Sequence, residues 1–209
     1  MTAARRLVLP ETLCVAQRSQ ARMVADLTAE AFRHDPFNKW LFGDFRAMRA
    51  AFRALSQAIY TGAGTAHLLT DGGGASMWLP PGADDGLGAI PLAKLLAAIT
   101  WYGGPAAARR AKLAGDVMAA HHPPETHWYL FTVGTLPDRR GQGLGKALLA
   151  PVLAHCDATN MPVYLENSNP ANHGFYAAHG FRRHELIHVE KGAPPLEAMW
   201  REPAARVTS

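Results

Sequence analysis

Three glycines alternate in the segment Arg139-Arg140-Gly141-Gln142-Gly143-Leu144-Gly145-Lys146, a composition that lets a backbone approach an anion closely. Spacing separates the kinds of phosphate site this could be. A dinucleotide-binding Gly-x-Gly-x-x-Gly fails in both registers, because Lys146 or Leu148 stands where the third glycine is needed. A P-loop fails too, with Arg140 at its first glycine and Ala147 at the hydroxyl that would hold magnesium. What remains is Arg140-x-x-Gly143-x-Gly145, where successive N–H groups, a helix N-terminus near Leu144, and the charges of Arg140 and Lys146 all favour an anion.

Other chemistry-bearing groups carry less. His184-Glu185-Leu186-Ile187-His188 has the zincin spacing, but its context reads as strand, where residues four apart lie about 13 Å from one another and cannot share one metal; no metal site is expected. His121, His122 and His127, flanking Pro123-Pro124, read as solvated loop histidines. Cys156 reads as a buried helix cysteine without an activating partner, and Trp78 as a packing residue that closes a strand.

The loop needs a strand before it and a helix after it, and both are legible. Residues 128–136 are aromatic and β-branched, and 144–157 have helical character, with Pro151 expected to kink that helix after two turns. Upstream, helical spacing marks 18–32, which Asp35-Pro36 punctuates, and 45–60. Two short strands at 66–70 and 75–79 flank an Asp71-Gly72-Gly73-Gly74 hairpin. The Ala-, Gly- and Pro-rich stretch 82–124 carries helical patterns, while 163–166, 182–189 and 198–201 read as strands and 171–179 as a short helix.

Composition bounds the rest. The 209 residues are 48% hydrophobic and 18% charged, enough for one packed core without staples and against wholesale disorder. The two cysteines lie far apart, which suits a reducing, cytoplasmic compartment. Arg5-Arg6 precede an apolar stretch, but Pro10 and Glu11 interrupt it, so no signal peptide is expected. The apolar stretch 90–102 includes Lys94 and falls short of the roughly 20 residues a bilayer span needs. Net charge is +4, spread over scattered arginine pairs, which suits an anionic small ligand rather than nucleic acid or a membrane.

The loop resembles the acetyl-CoA pyrophosphate loop of the GNAT superfamily of N-acetyltransferases. Within it the chain is most similar to the puromycin N-acetyltransferase group. The resemblance extends through Ala75-Ser76-Met77-Trp78, Trp128-Tyr129-Leu130, Thr132-Val133-Gly134, Pro137-Asp138, Leu165-Glu166, Asn172-x-x-Phe175-Tyr176 and Gly180-Phe181, in the family's order. It is strong over residues 128–181, fair over 66–79 and weak elsewhere.

The resemblance implies an α/β fold whose mixed central sheet, flanked by helices, is split between its fourth and fifth strands. Residues 1–209 would form a single acetyltransferase domain, with 82–124 a variable helical segment near the acceptor site. Backbone groups of Thr132, Val133 and Gly134 would hold the pantetheine of acetyl-CoA, and Arg139, Arg140, Gly141, Gln142, Gly143, Leu144, Gly145 and Lys146 its pyrophosphate, with Asn172 a further contact. Direct transfer needs a neutral amine, a stabilised oxyanion and a protonated thiolate. Tyr176 would be the general acid, and Glu166, at a strand end, would hold or deprotonate the acceptor ammonium. The acceptor implied is a small-molecule primary amine, aminonucleoside- or antibiotic-like. A protein lysine or N-terminal amine, and a non-catalytic CoA-binding sensor, are the other readings. A homodimer through the C-terminal strands is an expectation by analogy alone.

Overall fold

The structure, a computed structural model, describes residues 7–83 and 86–204; Arg5 and Arg6 lie outside the described residues. The Gly-rich hairpin of the sequence joins β2 (Thr65–Leu69) to β3 (Gly74–Leu79), paired antiparallel with Leu68 opposite Ala75. Gly72 turns it with φ 73°, and the Asp71 carboxylate accepts from the Gly73 N–H at 2.9 Å. The three-residue β1 (Leu13–Val15), too short for any periodicity to reveal, lies against β2. Beyond β3 come β4 (Trp128–Thr135) and, parallel to it, β5 (Val163–Asn167). Because β7 (Leu196–Arg201) inserts beside β5 and β6 (Arg182–Ile187) takes the outer edge, the sheet order is β1-β2-β3-β4-β5-β7-β6.

The parallel pair is brief. Trp128 opposes Val163 and Tyr129 opposes Tyr164, whereas β4 stays paired with β3 as far as Thr135 and β5 with β7 as far as Asn167. The two strands therefore part after Tyr129 and Tyr164. Phe131 is an extra residue on β4, since Met77 pairs with Thr132 and Trp78 with Leu130; such a bulge bends its strand just where the opening begins.

Helices α1 (Ala21–Ala31), α2 (Pro36–Phe42), α3 (Phe45–Leu55) and α4 (Ala89–His121) bury one face of the sheet, with Val24, Phe52, Ile99, Met77 and Tyr164 in their core. A π-helical turn, Ser56–Tyr60, extends α3. Helices α5 (Leu144–Thr159) and α6 (His173–Ala178) cover the other face around Trp78, Leu130, Leu149, Val163 and Phe181.

Two expectations need revision. Asp35-Pro36 opens a helix rather than merely closing one: the Asp35 carboxylate caps the Asn38 N–H at 2.8 Å and Pro36 takes the first helical position. The 82–124 stretch bears out its helical patterns: α4 is two helical runs that meet at the non-helical Gly104 (φ 80°, ψ 172°), ahead of Pro105. Conversely, α5 runs through Pro151 as one element, with Leu148, Leu149, Val152 and Leu153 buried on either side, so packing compensates for the lost backbone bond. No helix among the described residues is long and apolar enough to cross a membrane.

Candidate active site

The parted strands open onto a cavity of about 830 Å³, roofed by α4 and walled by aromatic side chains that include Phe32, Phe37, Phe52, Tyr60 and Phe131. Glu166 lies on its floor, placed by the period of the sheet. Tyr164 and Glu166 are two apart on β5 and share a face, and Tyr129, level with Tyr164, shares it too. The Tyr129 hydroxyl donates to Glu166 Oε2 at 2.7 Å. Glu166 Oε1 is buried without a hydrogen-bond partner, and the side chain is 3% exposed. Burial pushes the Glu166 carboxyl up to about 7, against the opposing pull of hydrogen bonding from Tyr129 and a weaker contact from Tyr164.

Tyr176 reaches the same cavity from the opposite face, its ring packed in the α5–α6 core. Burial first, and the nearby Asp35 second, raise its phenol above the usual range. Asp35 links the elements here: it caps α2 and accepts from the Ser168 hydroxyl at 2.8 Å, while burial raises its own carboxyl. Asn172 also borders the cavity, but as the residue before α6 rather than within it. Glu166 and Tyr176, on opposite faces of an unbroken sheet, would be separated by it; the split brings both onto one space.

At the other end of β4 stands the glycine loop. Gly141 and Gly143 adopt φ 78° and 77°, a region that disfavours side chains, and Gly143 caps α5. The first bond of α5 runs from the Ala147 N–H to the Gly143 carbonyl, leaving the N–H groups of Leu144, Gly145 and Lys146 without intrahelical partners. The two arginines are braced: Arg139 donates to Asp71 at 2.6 Å and to Gln142 at 3.0 Å, and Arg140 donates to the Ala31 carbonyl at 3.0 Å. Lys146 is exposed.

Two of the glycines also have a packing reason. A Cβ on Gly145 would approach the Phe175 ring at 3.1 Å, and one on Gly134 would lie 2.5 Å from the Ala31 Cβ, so these positions let α6 and α1 close on their neighbours. Thr132 lines the cavity with its hydroxyl buried and unpartnered, whereas Val133, beside it, packs into the α5-side core. An orphaned hydroxyl in the split and free N–H groups at a helix N-terminus fit a ligand with a polar arm and a phosphorylated end, which is the build of acetyl-CoA.

The solvated reading is corrected for His122 and His127, while His121 is exposed. His127 is buried, and His122, at the C-terminal end of α4, stands between the two tyrosines, its ring 5.2 Å from each of Tyr129 and Tyr164. Neither Tyr129 nor His122 was among the sequence candidates; strand alternation with Glu166 could have flagged Tyr129 only once the β4–β5 register was known. The zincin-like spacing begins on β6, a strand as read from the sequence. Cys156 is buried, and burial pushes its thiol up to about 12, the opposite of an activated nucleophile.

Residues 83–181 match the acetyltransferase (GNAT) family. An uncharacterized N-acetyltransferase of Schizosaccharomyces pombe is 36% identical over 78 residues, which is 36% of this chain and 32% of that protein. A mycothiol acetyltransferase of Streptomyces griseus is 34% identical over 79 residues, 34% of this chain and 26% of that one. The chain thus matches a third or less of the length of these curated relatives. Among solved structures, a "histone acetyltransferase HPA2 and related acetyltransferase" from Corynebacterium glutamicum superposes with a TM-score of 0.67 at 27% identity, covering 94% of this chain and 98% of that one. The parted sheet and the family match agree: residues 83–181 are similar to the GNAT family of acetyltransferases, whose members take their acetyl group from acetyl-CoA.

Proposed function

We propose that this chain, as a single acetyltransferase domain, moves the acetyl group of acetyl-CoA onto the primary amine of a small molecule with a largely apolar or aromatic body. The aminonucleoside- and antibiotic-like amines suggested by the puromycin group are the first to try. The observation that carries the reading is one buried carboxylate, Glu166, on the floor of a cavity lined mainly by aromatic and aliphatic side chains. Such a site attracts a cationic amine and rewards an apolar remainder. A cavity roofed by α4 also suits a compact acceptor better than an extended protein segment.

When bound, acetyl-CoA supplies the activated acetyl group. The residues proposed to hold it are the backbone of Thr132, Val133 and Gly134 for the pantetheine, and the loop from Arg139 through Lys146 for the pyrophosphate, with Asn172 at the mouth. The braces on Arg139 and Arg140 favour a role in shaping the loop, leaving its N–H groups and Lys146 to meet the anion. Glu166 binds the acceptor ammonium and takes its proton, a task for which a carboxyl near 7 is matched to neutral pH. Tyr176, held protonated by burial, delivers a proton to the departing sulfur. A β4 backbone N–H facing the split stabilises the developing oxyanion; losing one such donor costs about 3 kcal/mol.

The test is kinetic. Glu166→Gln is expected to lower acceptor kcat/KM about 100-fold or more, and Tyr176→Phe to cut turnover, both with acetyl-CoA affinity retained. Unchanged acceptor kinetics in Glu166→Gln would remove the carboxylate from the reaction, and an unchanged rate across pH in Tyr176→Phe would remove the phenol.

A further inference from the structure

Joining an amine to a thioester carbonyl asks two things of the surrounding groups. The amine's hydrogen needs an acceptor, and the carbonyl oxygen, which gains negative charge as the bond forms, needs a donor. Two residues that line the cavity each bury an oxygen without a hydrogen-bond partner: Glu166 at Oε1 and Thr132 at Oγ1. The carboxylate can only be the acceptor when charged, whereas a hydroxyl can donate.

Thr132 reaches the cavity through the bulge in β4. Phe131 and Thr132 are neighbours that a regular strand would turn to opposite faces, yet both line the cavity. The extra residue resets the alternation between Leu130, opposite Trp78, and Thr132, opposite Met77. Met77 and Tyr129 pack in the core on the α1 side, so Thr132 projects from the same face as Glu166, past the point where β4 leaves β5. Its side chain has little other purpose there. Thr132 is 5% exposed, and the nearby hydroxyls of Tyr129 and Ser168 are committed to Glu166 at 2.7 Å and to Asp35 at 2.8 Å. An unpaired buried hydroxyl costs folding free energy that a valine of nearly the same shape would avoid. Such a group makes sense where its partner arrives with the substrate.

We infer that the Thr132 hydroxyl donates to the carbonyl oxygen of the acetyl group, a side-chain donor that stabilises the oxyanion beside the β4 backbone N–H. The inference rests on the acetyl-transfer reading of the cavity.

The step balances with the Thr132 proton staying on its own oxygen. Glu166 takes one proton from the ammonium, and the neutral nitrogen bonds to the acetyl carbon as the carbonyl π pair moves onto oxygen. There the hydrogen bond from Thr132 strengthens as the charge grows. The pair returns to re-form the carbonyl as the carbon–sulfur bond breaks, and the sulfur takes the phenol proton of Tyr176. Nitrogen, still carrying one proton too many, gives it to the Tyr176 phenolate. The proton on Glu166 passes to water once the products leave.

The test compares Thr132→Val, which keeps the shape and removes the donor, with Thr132→Ser, which keeps the donor. Thr132→Val is expected to lower kcat about 100-fold, with the acceptor KM and the acetyl-CoA dissociation constant nearly unchanged. Without ligand it should melt no lower than the unaltered chain, because the unpaired hydroxyl is gone. Thr132→Ser should recover most of the lost rate. Infrared difference spectra of bound acetyl-CoA with an isotope-labelled carbonyl give a readout that needs no turnover. The carbonyl band should lie at lower frequency in the unaltered chain and in Thr132→Ser than in Thr132→Val. Equal bands and an unchanged kcat in Thr132→Val, in a chain that acetylates its amine, would overturn the donor alone. Weaker acetyl-CoA binding in Thr132→Val with kcat unchanged would overturn it as well and make the hydroxyl a pantetheine contact. An unaltered chain that binds acetyl-CoA but acetylates no primary amine would remove the acetyl-transfer reading, and the donor with it.

Discussion

Tyr129 tunes the carboxylate it touches. Its hydroxyl donates to Glu166 at 2.7 Å and so stabilises the charged form against burial. In Tyr129→Phe the carboxyl loses that support and its pKa rises further above about 7. Since the basic form is the active one, the acid limb of the kcat/KM profile should move to higher pH, and activity at pH 7 should fall while activity at pH 9 recovers. Profiles for both proteins with one acceptor, so that the amine's own titration cancels, check this. Placement at this scale was legible in part: Glu166 near the end of a strand, Tyr176 on the helix after Asn172, and the glycine loop between a strand and a helix. Tyr129 and His122 were not, because each matters through a partner far off in sequence. Tyr129 requires the β4–β5 register, and His122 requires the end of α4 to be brought over β5.

Elements place these residues by close approach, and glycines show where the approach is tightest. At Gly134 a Cβ would sit 2.5 Å from Ala31, on the helix whose last carbonyl receives Arg140. Gly134→Val therefore forces α1 off β4, and a loss of about 1–3 kcal/mol is expected in urea unfolding; no loss would mean that α1 is free to shift. The main strands and helices were readable because their periods of 2 and 3.6 run over enough residues. β1 escaped notice at three residues, and α2 was hidden because Asp-Pro signals both a stop and a start, a choice settled by the cap onto Asn38. The packing role of the glycines at 134 and 145 was hidden because sequence spacing does not distinguish room for a ligand from room for a neighbouring helix.

In the whole molecule, two cores meet where the sheet parts, and two buried titrating groups leave opposite marks on stability. Burial of His67 in β2 lowers its pKa from 6.5 to about 4, so its contribution is full above pH 6.5 and is lost as pH falls toward 4. Glu166 is raised from 4.5 to about 7, so its contribution is full below pH 4.5 and is lost as pH rises through 7; Asp35, also raised, adds the same sign. His67 and Glu166 are each worth about 3 kcal/mol, and in the unaltered chain these two largely cancel. His67→Gln should expose the carboxylates, melting lower at pH 7 than at pH 4.5, whereas Glu166→Gln should show the reverse order. Equal slopes in the two variants would contradict the burial of these groups. The split itself was expected from the resemblance, not from periodicity, because a gap between strands leaves no mark in hydrophobic patterning.

The most direct measurement is the melting temperature with and without acetyl-CoA, in the unaltered chain and in Gly143→Val, whose left-handed φ of 77° a branched residue resists. At about 100 times its dissociation constant, acetyl-CoA should add about 2.7 kcal/mol, a rise of several degrees for a chain of this length. The expected result is that rise in the unaltered chain and its loss in the variant. A folded, unaltered chain whose melting is indifferent to acetyl-CoA would contradict the role given to the glycine loop and the parted sheet.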